Sequence, residues 1–200
     1  MTDLRHVSPY SFRQKVGRVL WGATQGTLFR WSWPTWFGYR NALLRCFGAT
    51  VDPTARPRRL ARVTCPWNLT IGPNTALGDD CHLYCLGPVV LGARVTISQN
   101  AHLCAGSHDY GDPALMPLLR EPITVHDDAW VAADAFVGPG VTVGQGALLG
   151  ARGCAFRDLE PWTIYGGNPA KAIKPREVQA TDDANAAPTA APETEGGGGG

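Results

Sequence analysis

Val125, Val131, Val137, Val143 and Leu149 stand six residues apart without a slip. His126, Ala132, Gly138, Gly144 and Gly150 follow them. An aliphatic residue fills a random position about a quarter of the time, so five in register is roughly a one-in-a-thousand event. The beat also runs upstream. Ile71, Leu77 and Leu83 carry it, with Gly72 and Gly78 behind the first two. The stretch "CLGPV" then inserts two residues, and Leu91, Ile97 and Leu103 resume the step, with Gly92 behind the first. Between Leu103 and Val125 the register is lost in a stretch rich in proline and charge.

Six is neither the helical nor the strand period. It fits short strands joined by tight corners, three units closing a triangular coil of about eighteen residues. The aliphatic residue points to the axis, and stacked coils bury a continuous ladder. Glycine beside that residue suits a corner that needs positive φ or close backbone approach. A sandwich would instead show alternating pairs at irregular spacing. The glycines of "VGPGVTVGQG" follow the same beat, so they are not a dinucleotide-binding turn between strand and helix.

Eighteen basic residues balance seventeen acidic ones. There is no global basic field, so nucleic acid is not expected as a partner. The six cysteines form no CxxC pair, which argues against a zinc finger. They read as buried small apolar side chains in a reducing compartment. "VGRVLWGATQGTLFRW" is too short and too interrupted to span a bilayer and makes a poor signal peptide, so the expected location is cytoplasmic. Residues 177–200, nearly free of large apolar side chains and ending in five glycines, are expected to be a disordered tail.

The hexads, "LCAGSHDY" and the closing "WTIYGGNPAKAIKP" together resemble the hexapeptide-repeat acyltransferases over roughly Val51 to Arg176. Within them the chain looks like the sugar O-acetyltransferases of galactoside and nodulation-factor type. It is most similar to the colanic-acid-type exopolysaccharide acetyltransferases, which share "PWNL.IG", "LC.GSHDY", "SFRQKVGRVLW" and "ALLRCFGA". The resemblance implies a mainly β fold: a left-handed parallel β-helix over 51–176. An N-terminal helical segment (1–50) precedes it, a loop excursion at about 109–122 interrupts it, and the disordered tail follows. It implies acetyl-CoA as co-substrate without a metal, a saccharide acceptor, and a homotrimer with sites between subunits.

Acetyl transfer from a thioester to a hydroxyl needs a base, a donor for the oxyanion, and aligned substrates. By resemblance His108 is the catalytic base, and its ring would be oriented by Ser107, Asp109, Asp112 or a backbone carbonyl. The resemblance sets Trp130 at the acetyl-CoA end, Ala133 and Ala151 along the pantetheine arm, and Lys171 and Lys174 near the phosphates. Galactoside-type relatives hold the acceptor with asparagine and aspartate where this chain has "LGDDCHLYCLG". Asp79, Asp80 and His82 are therefore only candidates for sugar contact, and galactoside itself is in doubt. A zinc reading competes, because γ-class carbonic anhydrases share the fold and use three histidines. One hexad separates His102 from His108, sending them to different faces, and the excursion breaks simple stacking of His108 with His126. An N-acetyltransferase of an amino sugar or similar small acceptor would show the same base and CoA site. A non-catalytic β-helix scaffold would need neither, although it would show the same hexads.

In the N-terminal segment Phe12, Val16, Val19, Leu20 and Ala23 form a helical stripe, followed by "RWSWPTWFGYRNALLRCFG". Two readings stand. The segment caps the β-helix or packs in the trimer, or it is an interfacial membrane anchor serving a lipid-linked acceptor.

Overall fold

The computed structural model describes residues 10–111, 113 and 115–178. Most of the expected tail (179–200), residues 1–9 of the N-terminal segment, and Asp112 lie outside the described residues.

Among the described residues, three parallel sheets form the faces of a triangular β-helix. Each coil visits the first, second and third sheet in turn. Val51, Pro57 and Val63 are the inward rungs of the first coil, and Ile71, Leu77 and Leu83 those of the second. Leu91, Ile97 and Leu103 follow, then Val125, Val131 and Val137, then Val143, Leu149 and Ala155. All are buried. A second buried residue, such as Ala55, Ala61, Thr75 or Cys81, precedes a rung by two positions and fills the space between rungs.

Each coil must present its backbone to the one above, so its residue count is tightly constrained. Within a coil the rungs are six apart. From the third sheet back to the first, the rung step is eight (Val63 to Ile71), eight (Leu83 to Leu91), twenty-two (Leu103 to Val125), then six (Val137 to Val143). Every surplus residue leaves at that one corner. Asn68 braces it, its side-chain amide donating to the carbonyls of Cys85 and Leu86, both at 3.0 Å.

The glycines behind the rungs serve close approach. A Cβ on Gly72 would meet the Gly92 carbonyl at 2.6 Å, and one on Gly78 the Gln99 nitrogen at 2.6 Å. Positive φ falls three residues past the rung, at Asn74, Asp80, Arg94, Asn100, Asp128 and Asp134 among others. Asparagine and aspartate tolerate this left-handed region best. Of the cysteines, Cys65, Cys81 and Cys85 are buried, Cys46 is exposed, Cys104 and Cys154 are half-buried, and all are free. Burial pushes the Cys81 thiol up to about 12.

Helix α1 (Phe12–Thr24) starts at a Ser11/Gln14 capping box and runs into a π-helical turn, Gln25–Phe29. Helix α2 spans Phe37–Cys46. Together they close the open edge of the first coil. Trp21 Nε1 donates to the Val63 carbonyl at 2.6 Å, and the Val63 N–H donates to Gln25 Oε1 at 2.7 Å. Arg40 Nε donates to Pro57 O at 2.7 Å, Asn41 Nδ2 to Ala55 O at 2.8 Å, and Arg45 Nε to Val51 O at 2.8 Å. The capping reading therefore holds for one face of the segment. The stripe of Phe12, Val16, Val19 and Leu20 does not face the body; it is exposed. Trp21, Phe29 and Leu44 supply the buried contacts instead. No helix among the described residues is long and apolar enough to cross a membrane.

The stacking constraint predicts opposite signs for two glycine substitutions. Gly78→Ala should lower stability by about 1–3 kcal/mol through backbone overlap. Gly38→Ala, with no neighbour within 4 Å of the added Cβ, should raise it by about 0.4–1 kcal/mol. Urea denaturation midpoints check both, and equal shifts would refute the role given to Gly78.

Candidate active site

The long excursion is a hairpin. Ser107–His108 pairs antiparallel with Leu118–Leu119, His108 opposite Leu118. Its foot is packed by glycine: a Cβ on Gly87 would meet Glu121 O at 2.8 Å, and one on Gly106 the Leu86 Cδ1 at 2.9 Å. His108 is exposed. Its Nδ1 lies 2.6 Å from the Met116 carbonyl oxygen. A carbonyl only accepts, so Nδ1 carries the proton and Nε2 of the neutral ring presents a lone pair. Of the expected orienting groups it is thus a backbone carbonyl that does the work. Asp109 instead closes a turn, accepting from Gly111 N–H at 2.8 Å.

Trp130 lies on the second sheet, between Thr96 and Leu148 in the lateral register. Its Nε1–H donates to Ser98 Oγ at 2.8 Å, which fixes the indole as an exposed shelf. Ala133 and Ala151 stack on consecutive coils at the corner between the second and third sheets, where Arg152 N–H donates to Ala133 O at 2.9 Å. The same column continues upward through Gln99 to Asp79. It passes from a carboxylate and an amide to bare methyl groups, so a ligand chain can approach the backbone at its lower end. Lys171–Pro175 adds an antiparallel strand to the second sheet, setting Lys171 opposite Gly166 and Lys174 opposite Ile164. Both lysines are exposed. The five residues expected to hold acetyl-CoA therefore share one side of the prism.

The three acceptor candidates part company. Asp79 lines a cleft of about 690 Å3 together with Phe37, Arg56, Arg58, Thr96 and Gln99, and pairs with Arg58 at 3.3 Å. This cleft continues the Trp130 face upward. Asp80 occupies the left-handed corner, its carbonyl accepting from Arg62 at 3.4 Å. His82 sits on the third sheet, stacked on His102 with ring centroids 4.8 Å apart and planes 9° from parallel. Thr64 Oγ1 lies 3.1 Å from His82 Nε2. Burial first, then His102 and Arg62, lowers the His82 pKa to about 4. His102 Nε2 is buried with no hydrogen-bond partner among the described residues. His82 and His102 are thus a neutral stack in the wall, apart from the Asp79 cleft. No group of three His, Cys, Asp or Glu gathers as a metal site among the described residues.

The hairpin of His108 grows from the corner between the third and first sheets, and the Trp130 shelf lies on the second. These are opposite sides of a triangular section. The Met116 carbonyl and the Phe37–Arg56–Arg58 wall escaped the sequence reading, because neither follows the six-residue beat. The two-residue surplus in "CLGPV" was the available signal for the hairpin corner.

No family model matches the chain. It is 41% identical over 179 residues to a protein of Escherichia coli (strain K12) described as the colanic acid biosynthesis acetyltransferase WcaF, covering 88% of this chain and 98% of that one. It resembles a maltose O-acetyltransferase from Clostridium difficile 630, with a TM-score of 0.75, 20% identity, and coverage of 84% and 90% of the two chains. It also resembles a galactoside acetyltransferase in complex with coenzyme A, with a TM-score of 0.74, 22% identity, and coverage of 85% and 86%.

The neutral histidine stack predicts acid sensitivity. The unfolded His82 ring protonates near its ordinary 6.5 and the folded ring only near about 4. Between those values the unfolded chain binds the extra proton, so stability falls as pH drops from 6.5 through about 4. His82→Phe should flatten that slope in urea denaturation followed against pH. An unchanged slope would place the sensitivity elsewhere.

Proposed function

The chain belongs to the colanic acid biosynthesis branch of the hexapeptide-repeat acetyltransferases, and we propose that it moves the acetyl group of acetyl-CoA to a saccharide hydroxyl in exopolysaccharide synthesis, with His108 as general base. One observation carries the mechanism. The Met116 carbonyl accepts the Nδ1–H bond at 2.6 Å and leaves Nε2 bare on an exposed hairpin. Nε2 takes the hydroxyl proton as the sugar oxygen attacks the thioester carbon. The Met116 carbonyl steadies the imidazolium that forms. The tetrahedral adduct collapses, the carbon–sulfur bond breaks, and the CoA sulfur leaves with the proton returned from Nε2.

Acetyl-CoA would lie along the Trp130 shelf and the Ala133–Ala151 column, where small side chains leave the backbone open. Lys171 and Lys174 would meet its phosphates as point charges. The acceptor would enter from the Asp79 cleft. His108 and the shelf stand on opposite sides of one chain, so the complete site combines the hairpin of one copy with the groove of its neighbour. A closed ring of three copies, each pairing hairpin to groove, repeats this contact without leaving a half-site unused.

His108→Ala should cut turnover by about 10²–10⁴-fold while CoA binding, followed by equilibrium dialysis, stays intact. Full turnover would remove the mechanism. Ala133→Trp should block CoA binding. Co-expressed with His108→Ala, it should restore a fraction of the thiol-release activity that each variant lacks alone. A site contained in one chain would give no restoration.

A further inference from the structure

The cap on the first coil has two faces. One satisfies the β-helix edge. The other carries large apolar side chains in the open: Phe12 is 80% exposed, Val19 72%, Trp31 78% and Trp33 65%, with Leu28 and Trp36 beside them. A helix of an ordinary globular domain turns such a stripe inward. Here the inward positions of α1 and its π-helical extension are taken by Trp21 and Phe29, so the stripe is directed away from the body by construction.

The charge on this face has one sign. From Tyr10 to Val51 the chain holds Arg13, Lys15, Arg18, Arg30, Arg40 and Arg45 and no acidic residue. Arg40 is buried in the cap, and Arg13, Lys15 and Arg30 are exposed. At about 100° per residue, Arg13 and Lys15 fall on the two flanks of the Phe12–Val16–Val19 stripe. Their stems can lie along the apolar surface while the charges reach outward. Past α1, Leu28, Trp31, Trp36 and Tyr39 line an apolar hollow of about 340 Å3.

We infer that this face docks on the surface of an anionic lipid bilayer, with α1 in the interfacial plane and the tryptophans at headgroup depth. Aromatic rings with a polar edge favour that depth, and flanking bases favour negative headgroups. A second copy applied to the same face would set base against base, with no carboxylate in the segment to offset it. The inference does not rest on the catalytic reading. It gives the molecule an orientation, with the first coil and the Asp79 cleft at the membrane end and Lys171 at the far end.

The test is flotation of the full chain with vesicles of phosphatidylcholine alone and of phosphatidylcholine mixed with phosphatidylglycerol. The expected result is co-flotation with the mixed vesicles, weakened by salt, with a blue shift of tryptophan emission. The double variant Trp31→Ser/Trp33→Ser and the charge reversal Arg13→Glu/Lys15→Glu should each lower partitioning by about tenfold or more. Thermal melting checks that each variant is folded, and thiol release with a soluble acceptor should be unchanged, which separates this inference from the catalytic one. Absence of flotation, or flotation equal in the wild type and both folded variants, overturns it. So does a smaller assembly for the tryptophan variant in light scattering without vesicle binding by the wild type, which would make the face a contact between copies.

Discussion

The structure depends on backbone pairing between stacked coils. Every coil must deliver its N–H and C=O groups at the height of the next one, so the count between rungs is held at six along two edges of the triangle. At the third edge, extra residues can be expelled without disturbing the ladder. The chain uses this freedom progressively: two extra residues after Val63, two after Leu83, sixteen after Leu103 and none after Val137. The first two surpluses build a braced corner through Asn68 and Gly87. The third grows from that corner as the hairpin that holds His108.

The same ladder creates a problem at its first coil, where one row of backbone groups has no coil above it. Exposed edges of this kind invite pairing with other chains. The solution combines sequence and side chains. Pro57 sits where an N–H would point off the edge, so that donor does not exist. Its carbonyl, and those of Val51, Ala55 and Val63, are met by Arg40, Arg45, Asn41 and Trp21. Arg40 is fully buried, and desolvation lowers its pKa, yet four acceptors surround its guanidinium: Pro57 O, Ser32 Oγ, Trp33 O and Pro34 O. A buried arginine is tolerable when its donors are met in this way.

The β-helix was legible because its rungs repeat. Ile71 to Leu149 could be read directly, and the break at Leu103 located the hairpin. The first coil was not legible as a coil, because "RPRRLARVTCP" hides the rungs Pro57 and Val63 among arginines. The helical stripe was legible as a stripe, but its direction was not. A period says which residues share a face, and only the competing contacts of Trp21 and Phe29 with the coil edge decide which face is buried. Asp79, Asp80 and His82 are near neighbours in sequence, but a corner lies among them and sends Asp79 and His82 to different walls. The partner of His108 was invisible for a different reason: it is a main-chain oxygen, and any residue at position 116 could have supplied it.

A triangular prism also limits where a two-substrate site can be built. Its faces are flat and its core is filled, so no face alone encloses a ligand. A groove forms only where a projection overhangs a face, and the hairpin that leaves the coils after Leu103 stands across the section from the Trp130 shelf. The hairpin cannot overhang its own shelf without wrapping round a neighbouring face. In the ring of copies proposed above, it would overhang a second copy's shelf without any change in the coil. The count of residues per coil decides which corner holds the surplus, and so, in that proposal, which copy His108 would serve.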